Sequence, residues 1–253
     1  MSKVSPTVVE PAFYTQPSFL IRPRLRDWWA ILHPPYTLCH LSFVVIGACL
    51  IAPVNSFRLW MTLLAFFLAV GLGSHALDEL QGRPLRTSIP QWQLRVAGYG
   101  GVGAAVSIGI VGAIETNAYL GIFIVLGIVF ALSYNLELFH SRLHTGLSFA
   151  LSWGAFPVLT AYFAQHATLN IAAFIAAAFG GLIATAQRQL STPARNLRRR
   201  VTRVEGVEIL HDGTRVAITR ESLLAPLESA LKLLCWATVA LAGALALTRY
   251  NVF

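Results

Sequence analysis

Long apolar runs separated by short polar segments dominate the pattern of this chain. Seven runs approach the length that crosses a membrane as a helix, which is about 20 residues. Backbone groups in lipid must be hydrogen-bonded within their own segment, so helices rather than strands are expected. The seven runs are Tyr36–Pro53, Phe57–Leu77, Val96–Ile114, Ala118–Leu136, Leu147–Gln165, Ile171–Leu190 and Leu223–Leu247. The pattern predicts an all-α, polytopic membrane helix bundle with about seven transmembrane helices.

The composition agrees with this pattern. Of the 253 residues, 56% are hydrophobic and only 12% are charged, and the mean hydropathy is +0.63. These values are too apolar for an ordinary soluble domain. We expect residues 1–35 to form a cytoplasmic N-terminal segment and residues 36–253 to form a single transmembrane helical domain.

The distribution of charge predicts the orientation of the bundle. Of the 19 Lys and Arg residues, all but Arg58 and Arg249 fall in the N-terminal segment or towards alternate loops. The positive-inside rule therefore places the N-terminus in the cytoplasm. The net charge of +8 is then a topology signal, which favours contact with anionic membrane lipid and gives no reason to expect nucleic-acid binding.

The predicted cytoplasmic loops are longer than the outer loops and hold nearly all of the polar residues. They are Asp78–Arg95, Glu137–Gly146 and Ser191–Ser222. In the last of them, two β-prone runs flank Asp212-Gly213, which predicts a β-hairpin insert within about residues 191–222. Whatever chemistry the protein performs is expected on the cytoplasmic side of an integral membrane bundle.

Three polar clusters lie in or beside these loops and are candidates for a site. Carboxylates at the edge of a span are costly to desolvate, which favours a functional role for them. The first cluster is His75, Asp78, Glu79, Arg83 and Arg86. The second is Tyr134, Asn135, Glu137, His140, Arg142 and His144. The third is Gln187, Arg188, Gln189 and Arg195.

Several of these motifs together resemble the UbiA superfamily of intramembrane prenyltransferases. Ser74–Pro90 reads SHALDELQGRPLRTSIP and is similar to the first aspartate-rich motif of that family with its following R-P segment. His33–Thr37 (HPPYT) is similar to the start of the family's first helix, and Trp153–Gln165 (WGAFPVLTAYFAQ) to its fifth. The resemblance covers roughly residues 27 to 195.

The resemblance implies an integral membrane prenyltransferase. Such an enzyme transfers a prenyl group from a polyprenyl diphosphate to an aromatic or lipid acceptor, and Mg²⁺ on carboxylates neutralises the diphosphate. By this resemblance Asp78 and Glu79 would hold Mg²⁺, and Tyr134 would contact the diphosphate or the nascent cation. The diphosphate would be bound by Arg83, Arg86, Arg142 and Arg188.

The chain also departs from the family pattern. His75 and Gly82 stand where the first motif has aspartates, and Gln189 and Pro193 stand where the second motif has carboxylates. These departures favour an alternative, a non-catalytic isoprenoid- or lipid-binding membrane subunit of the same fold. The family usually has nine helices, so a protein partner or a second copy of the chain could complete the open side.

A second alternative is a membrane metallohydrolase that uses histidine ligands. Glu137, His140 and His144 have the spacing i, i+3 and i+7, which brings them to one face if the helix continues. Together with His75 and Asp78 they could bind Zn²⁺ or iron.

Overall fold

The computed structural model of the chain describes residues 23–135 and 145–250. Most of these residues are helical. The helices are α1 (Pro23–Leu32), α2 (Pro34–Ala48), α3 (Ser56–Leu80), α4 (Gln91–Glu115), α5 (Leu120–Asn135), α6 (Gly146–His166), α7 (Ile171–Arg199) and α8 (Arg220–Tyr250). Two strands, β1 (Val207–Ile209) and β2 (Arg215–Ala217), lie between α7 and α8.

Six helical segments in the described ranges are long and apolar enough to cross a membrane. Five of them are α3, α4, α6, α7 and α8, and the sixth is the combined segment Arg24–Ala48 of α1 and α2. The seventh predicted run, Ala118–Leu136, contains the shorter apolar helix α5. The chain is therefore an all-α bundle with the helices of a multi-pass membrane protein.

The first span begins earlier in the chain than the sequence pattern indicated. The helical path starts at Pro23, within the segment expected to precede the bundle. His33 has a left-handed φ of 43° and separates α1 from α2. Pro34 and Pro35 then begin α2, in positions where a helix needs no backbone donor.

Polar residues mark the start of two spans at the end of the bundle opposite Asp78. The Asn55 side chain accepts a hydrogen bond from the backbone N–H of Arg58 at the start of α3 (3.0 Å). The Asn170 side chain does the same for Ala173 in α7 (3.0 Å). Each bond satisfies one of the donors that a helix leaves free in its first turn.

Two helices contain π-helical segments, Phe67–Ser74 in α3 and Leu151–Ala155 in α6. Such segments insert extra residues per turn and change the direction in which the following side chains point. In α3 the segment immediately precedes His75 and Asp78, so it determines which side of the helix these residues occupy.

The prediction of a loop over Ser191–Ser222 is wrong for its first part. Helix α7 continues through Pro193 to Arg199. Packing explains the longer helix. Ala194 is fully buried against Leu224 and Leu231 of α8. Arg198 also forms an ion pair with Glu228 of α8. These tertiary contacts outweigh the unfavourable effect of a proline inside the helix.

The predicted hairpin is confirmed. β1 and β2 are antiparallel, with Val207 opposite Ala217 and Ile209 opposite Arg215. Gly213 supplies the positive φ of the turn, 84°. The backbone N–H of Thr214 donates to the Asp212 carboxylate (2.9 Å), and this hydrogen bond lowers the pKa of Asp212.

Helix α2 lies at the centre of the tightly packed side of the bundle. It packs against α6 and α8, while α7 packs against the same two helices. Glycines allow the closest approaches: a Cβ on Gly154 of α6 would lie 2.2 Å from the carbonyl oxygen of Gly180 in α7. A Cβ on Gly47 would lie equally close, 2.2 Å, to that of Val158. On the other side, α4 packs on α3, and α5 packs on α4.

Arg58 and Arg249 lie at the same end of the bundle. The Arg58 guanidinium donates to the carbonyl oxygen of Gln165 (3.1 Å) near the end of α6. Arg249 donates to the carbonyl oxygens of Cys49 and Leu50 (both 2.9 Å), just after α2. Arg58 and Arg249, the two basic residues that the charge pattern places on the side opposite the others, thus lie at the same end of the bundle.

Candidate functional site

A polar cavity of about 300 Å³ opens at the other end of the bundle. It lies between the start of α2, the end of α3 and the second half of α7, with α6 forming part of its floor. Its charged and imidazole side chains are His33, His40, His75, Asp78, Arg188, Arg195 and Arg199. Parts of two of the three polar clusters in the sequence, His75 and Asp78 from one and Gln187, Arg188 and Arg195 from the other, therefore meet at one cavity.

Asp78 supplies a carboxylate at this cavity. It lies in the last turn of α3, is exposed, and lines the cavity together with Ser74 and His75 one turn earlier. Among the described residues that line the cavity, it is the only Asp or Glu. Arg199 interacts with it electrostatically across the cavity.

Glu79 has a different position from its neighbour. Its side chain is 0% exposed and does not line the cavity. One carboxylate oxygen accepts from the backbone N–H of Leu85 (2.9 Å). The other accepts from the backbone N–H (2.9 Å) and the hydroxyl (2.8 Å) of Thr87. Both oxygens are therefore engaged in shaping the loop that follows α3.

Arg83 and Arg86 also belong to this loop and do not line the cavity. The Arg83 guanidinium donates to the carbonyl oxygens of Thr87 (2.9 Å) and Ile89 (2.7 Å). Arg86 is exposed, and its backbone N–H donates to the carbonyl oxygen of Arg83 (3.0 Å). The structure thus gives Arg83 a part in the loop's own hydrogen bonds and leaves Arg86 on the surface.

Arg188, for which the resemblance implies a contact with the diphosphate, lines the cavity from α7. It donates to the carbonyl oxygen of Thr145 (3.1 Å). Its guanidinium carbon lies 5.3 Å from the centre of the Phe149 ring, within the distance of a cation–π contact. These contacts hold its head group at the cavity wall.

Gln189 and Pro193, which stand where the family has carboxylates, are exposed and do not line the cavity. Arg195 and Arg199, one and two turns further along α7 than Ser191, line it instead. The side of the cavity opposite Asp78 is therefore basic.

Several predicted site residues cannot be placed. Glu137, His140, Arg142 and His144 lie outside the described residues. Tyr134 is in the last turn of α5. Within residues 23–135 and 145–250, no three His, Cys, Asp or Glu side chains are grouped in a way that could hold a metal ion.

The sequence reasoning missed the contribution of the first span. His33, Tyr36 and His40 all line the cavity, and the rings of His33 and His75 lie 4.8 Å apart in an edge-to-face arrangement. His33 lies between the last turn of α1 and the two prolines that begin α2. The proline pair after it was the signal in the sequence that the helix is interrupted there. The apolar neighbours of His40 gave no such signal.

A second cavity of about 760 Å³ lies between α3, α4, α5 and α6. Its walls are mainly apolar, with Phe66, Val102, Phe123 and Phe156 among them. Val70 and Trp153 line both cavities. The polar and apolar cavities are therefore adjacent and share one wall.

Comparison with protein-family models, with curated proteins and with solved structures found no match for this chain.

Proposed function

We propose that the protein binds a membrane amphiphile with a phosphate or diphosphate head group and a long apolar tail, of which a polyprenyl diphosphate is the best fit. The observation that carries this proposal is the adjacency of the two cavities. A basic cavity at the end of the bundle suits the anionic head, and the apolar cavity beside it suits the tail. The apolar volume of about 760 Å³ lies within the usual range for ligand pockets, about 300 to 1,000 Å³.

Three arginines support the choice of an anionic head group. Arg188, Arg195 and Arg199 reach the polar cavity from the same side of α7, with Arg195 two turns after Arg188 and Arg199 one turn further. Guanidinium groups bind phosphate oxygens through paired, charge-assisted hydrogen bonds. With Asp78 opposite them, these residues leave the described wall of the cavity with an excess of positive charge.

A binding experiment tests this proposal. We expect Arg188→Gln to weaken binding of a polyprenyl diphosphate by about 10- to 100-fold, since a hydrogen bond to a charged group contributes about 1.5–3 kcal/mol. Arg86→Gln is the matched control, because Arg86 lies outside the cavity, and it should leave the affinity unchanged. Equal effects of the two substitutions, measured on purified protein in nanodiscs, would refute a specific site.

Prenyl transfer is a second candidate function, favoured by the position of Asp78 in the cavity. The pair Asp78 and Glu79 does not fit a shared Mg²⁺ site, because both oxygens of Glu79 are hydrogen-bonded within the loop. Asp78 alone fits a site completed by diphosphate oxygens and water, as Mg²⁺ often has with phosphate substrates. A bound Mg²⁺ would neutralise the leaving diphosphate, and Asp78 would hold it beside the arginines.

Release of diphosphate from a polyprenyl diphosphate distinguishes the two functions. A transferase should release it only with Mg²⁺ and an acceptor, and Asp78→Asn should abolish release while leaving the arginine-dependent binding in EDTA. A protein that binds the ligand equally with Mg²⁺ or EDTA and never releases diphosphate is a binding protein. We also propose that the polar cavity faces the cytoplasm, because the basic residues of α7 lie at this end of the bundle.

A further inference from the structure

The polar cavity contains two buried groups that the anion-binding proposal does not use. His40 of α2 is 7% exposed and Ser74 of α3 is 1% exposed, and both line the cavity. The Nε2 atom of His40 and the hydroxyl of Ser74 have no hydrogen-bond partner among the residues that the structure describes. Buried polar groups are nearly always hydrogen-bonded to protein, water or ligand, so two such atoms at one cavity are candidate ligand-binding groups.

The contacts of His40 determine what its free nitrogen can bind. Its Nδ1 atom lies 3.1 Å from the backbone carbonyl oxygen of Trp153. A carbonyl oxygen only accepts, so Nδ1 carries the hydrogen of the neutral ring. The free Nε2 atom is then an acceptor and requires a donor. A phosphate oxygen without a proton cannot supply one, but a hydroxyl group can.

The surroundings of His40 are aromatic and apolar. Its ring centre lies 5.8 Å from that of Phe66 and 5.9 Å from that of Trp153. Phe66 and Trp153 also line the apolar cavity. His40 therefore lies where the polar cavity meets the apolar one.

We propose that His40 Nε2 and the Ser74 hydroxyl form a binding site for the hydroxyl group of an uncharged, ring-containing organic compound. The compound's O–H donates to His40, and Ser74 Oγ, which can donate or accept, hydrogen-bonds to the same compound. The rings of Phe66 and Trp153 contact its apolar part. This ligand is distinct from the anionic amphiphile, so the inference goes beyond the proposed function and does not depend on it.

Phenol and anisole are suitable probes, because they have similar shapes and only phenol has an O–H to donate. We expect full-length protein in nanodiscs to bind phenol more tightly than anisole. His40→Phe should reduce this preference by about 3- to 10-fold, the usual effect of one hydrogen bond. Comparing the ratio between variants removes the different partitioning of the two probes into lipid. His166→Phe is the matched control and should leave the preference unchanged, because His166 does not line the cavity.

Two further measurements keep the inference testable if His40→Phe does not fold. Ser74→Ala removes only a hydroxyl and should weaken the binding of phenol. In ¹⁵N-histidine-labelled wild-type protein, phenol should shift the resonance of one unprotonated histidine nitrogen, and anisole should not. Equal binding of the two probes, an unchanged affinity for phenol in Ser74→Ala, or no phenol-specific shift would overturn the inference and leave a hydration site.

Discussion

The two sides of the bundle differ in how much of their helices is closely packed. Between α6 and α7, Gly154 and Gly180 bring the backbones so close that no Cβ fits at either position. In α4, Gly101 makes a similarly close approach to α3, since a Cβ there would lie 2.6 Å from the carbonyl oxygen of Leu68, but a Cβ at Gly100 or Gly103 would meet no atom of the described chain within 4 Å. One side is packed around α2, and the other surrounds an apolar cavity.

We interpret this difference as a separation between the side that stabilises the bundle and the side that surrounds the proposed binding cavity. In lipid, helix association depends on close van der Waals packing, because the tails of the lipid are as apolar as the side chains. The side formed by α2, α6, α7 and α8 has such packing. The side formed by α3, α4 and α5 gives up part of it, and the space that remains has the size of a ligand pocket.

The largest expected effect is on the packed side. Gly154→Ala should lower the free energy of unfolding by about 3 kcal/mol, because the new methyl group would overlap the Gly180 carbonyl and force α6 and α7 apart. The corresponding fall in Tm is roughly 6–12 °C. Gly103→Ala is the control and should leave Tm unchanged or slightly higher. Equal Tm values for the two variants in thermal unfolding would contradict the comparison.

A smaller effect is expected for Glu79, which lies at the end of α3 and binds the loop that leads to α4. Glu79→Gln replaces an acceptor oxygen by an amide group that cannot accept, which leaves at least one buried backbone donor of the loop unpaired. The expected loss is about 1–3 kcal/mol. Cleavage within residues 81–90 by a protease should become faster, which gel electrophoresis would measure.

Asp78→Asn provides the contrast to Glu79→Gln, because Asp78 is exposed in the cavity. It should leave Tm and the protease resistance of the loop almost unchanged. If Asp78→Asn destabilises the protein as much as Glu79→Gln, the different roles assigned to the two neighbouring carboxylates are wrong.

The smallest effect is expected on the hollow side. Ala105 of α4 lines the apolar cavity, whereas its neighbour Ala104 is exposed and does not. Ala105→Phe should weaken binding of a long-chain polyprenyl diphosphate by about 4- to 15-fold, the loss expected when one or two methylenes are displaced. Binding of a short-chain diphosphate should be unaffected, and Ala104→Phe should affect neither ligand. Titrations of both chain lengths would measure this difference.

The sequence predicted much of the fold, because apolar runs and turn residues act locally. Each of the seven runs contains most of a helix, six of them long enough to span a membrane, and the hairpin around Asp212-Gly213 forms as expected. The end of α7 was not predicted, because the burial of Ala194 against α8 depends on residues more than 25 positions away. The contribution of His33 to the cavity was not predicted either, since it depends on how α1 and α2 pack against the other helices.

The candidate site was predicted only in part. Asp78 and Arg188 do line one cavity, although their contacts with a ligand remain predictions. Adjacent helical residues point in directions about 100° apart, so Asp78 and Glu79 are expected to differ in direction, but the sequence does not show which of them faces the cavity. His40 and Ser74 were missed because only the packing of α2 against α3 and α6 brings them to the cavity.

The π-helical segment of α3 has a consequence for the identity of the residue that faces the cavity. It lies directly before His75 and Asp78. It has more residues per turn than an α-helix, so each of its residues advances the rotation by less than the usual value of about 100°. An α-helix of the same length would therefore rotate every later side chain further around the axis of α3. Asp78 would then leave the wall of the cavity, and Glu79 would lose its position beside the backbone donors of the loop. The rotational phase of one helix thus decides which of two adjacent acids lines the cavity and which one builds the loop.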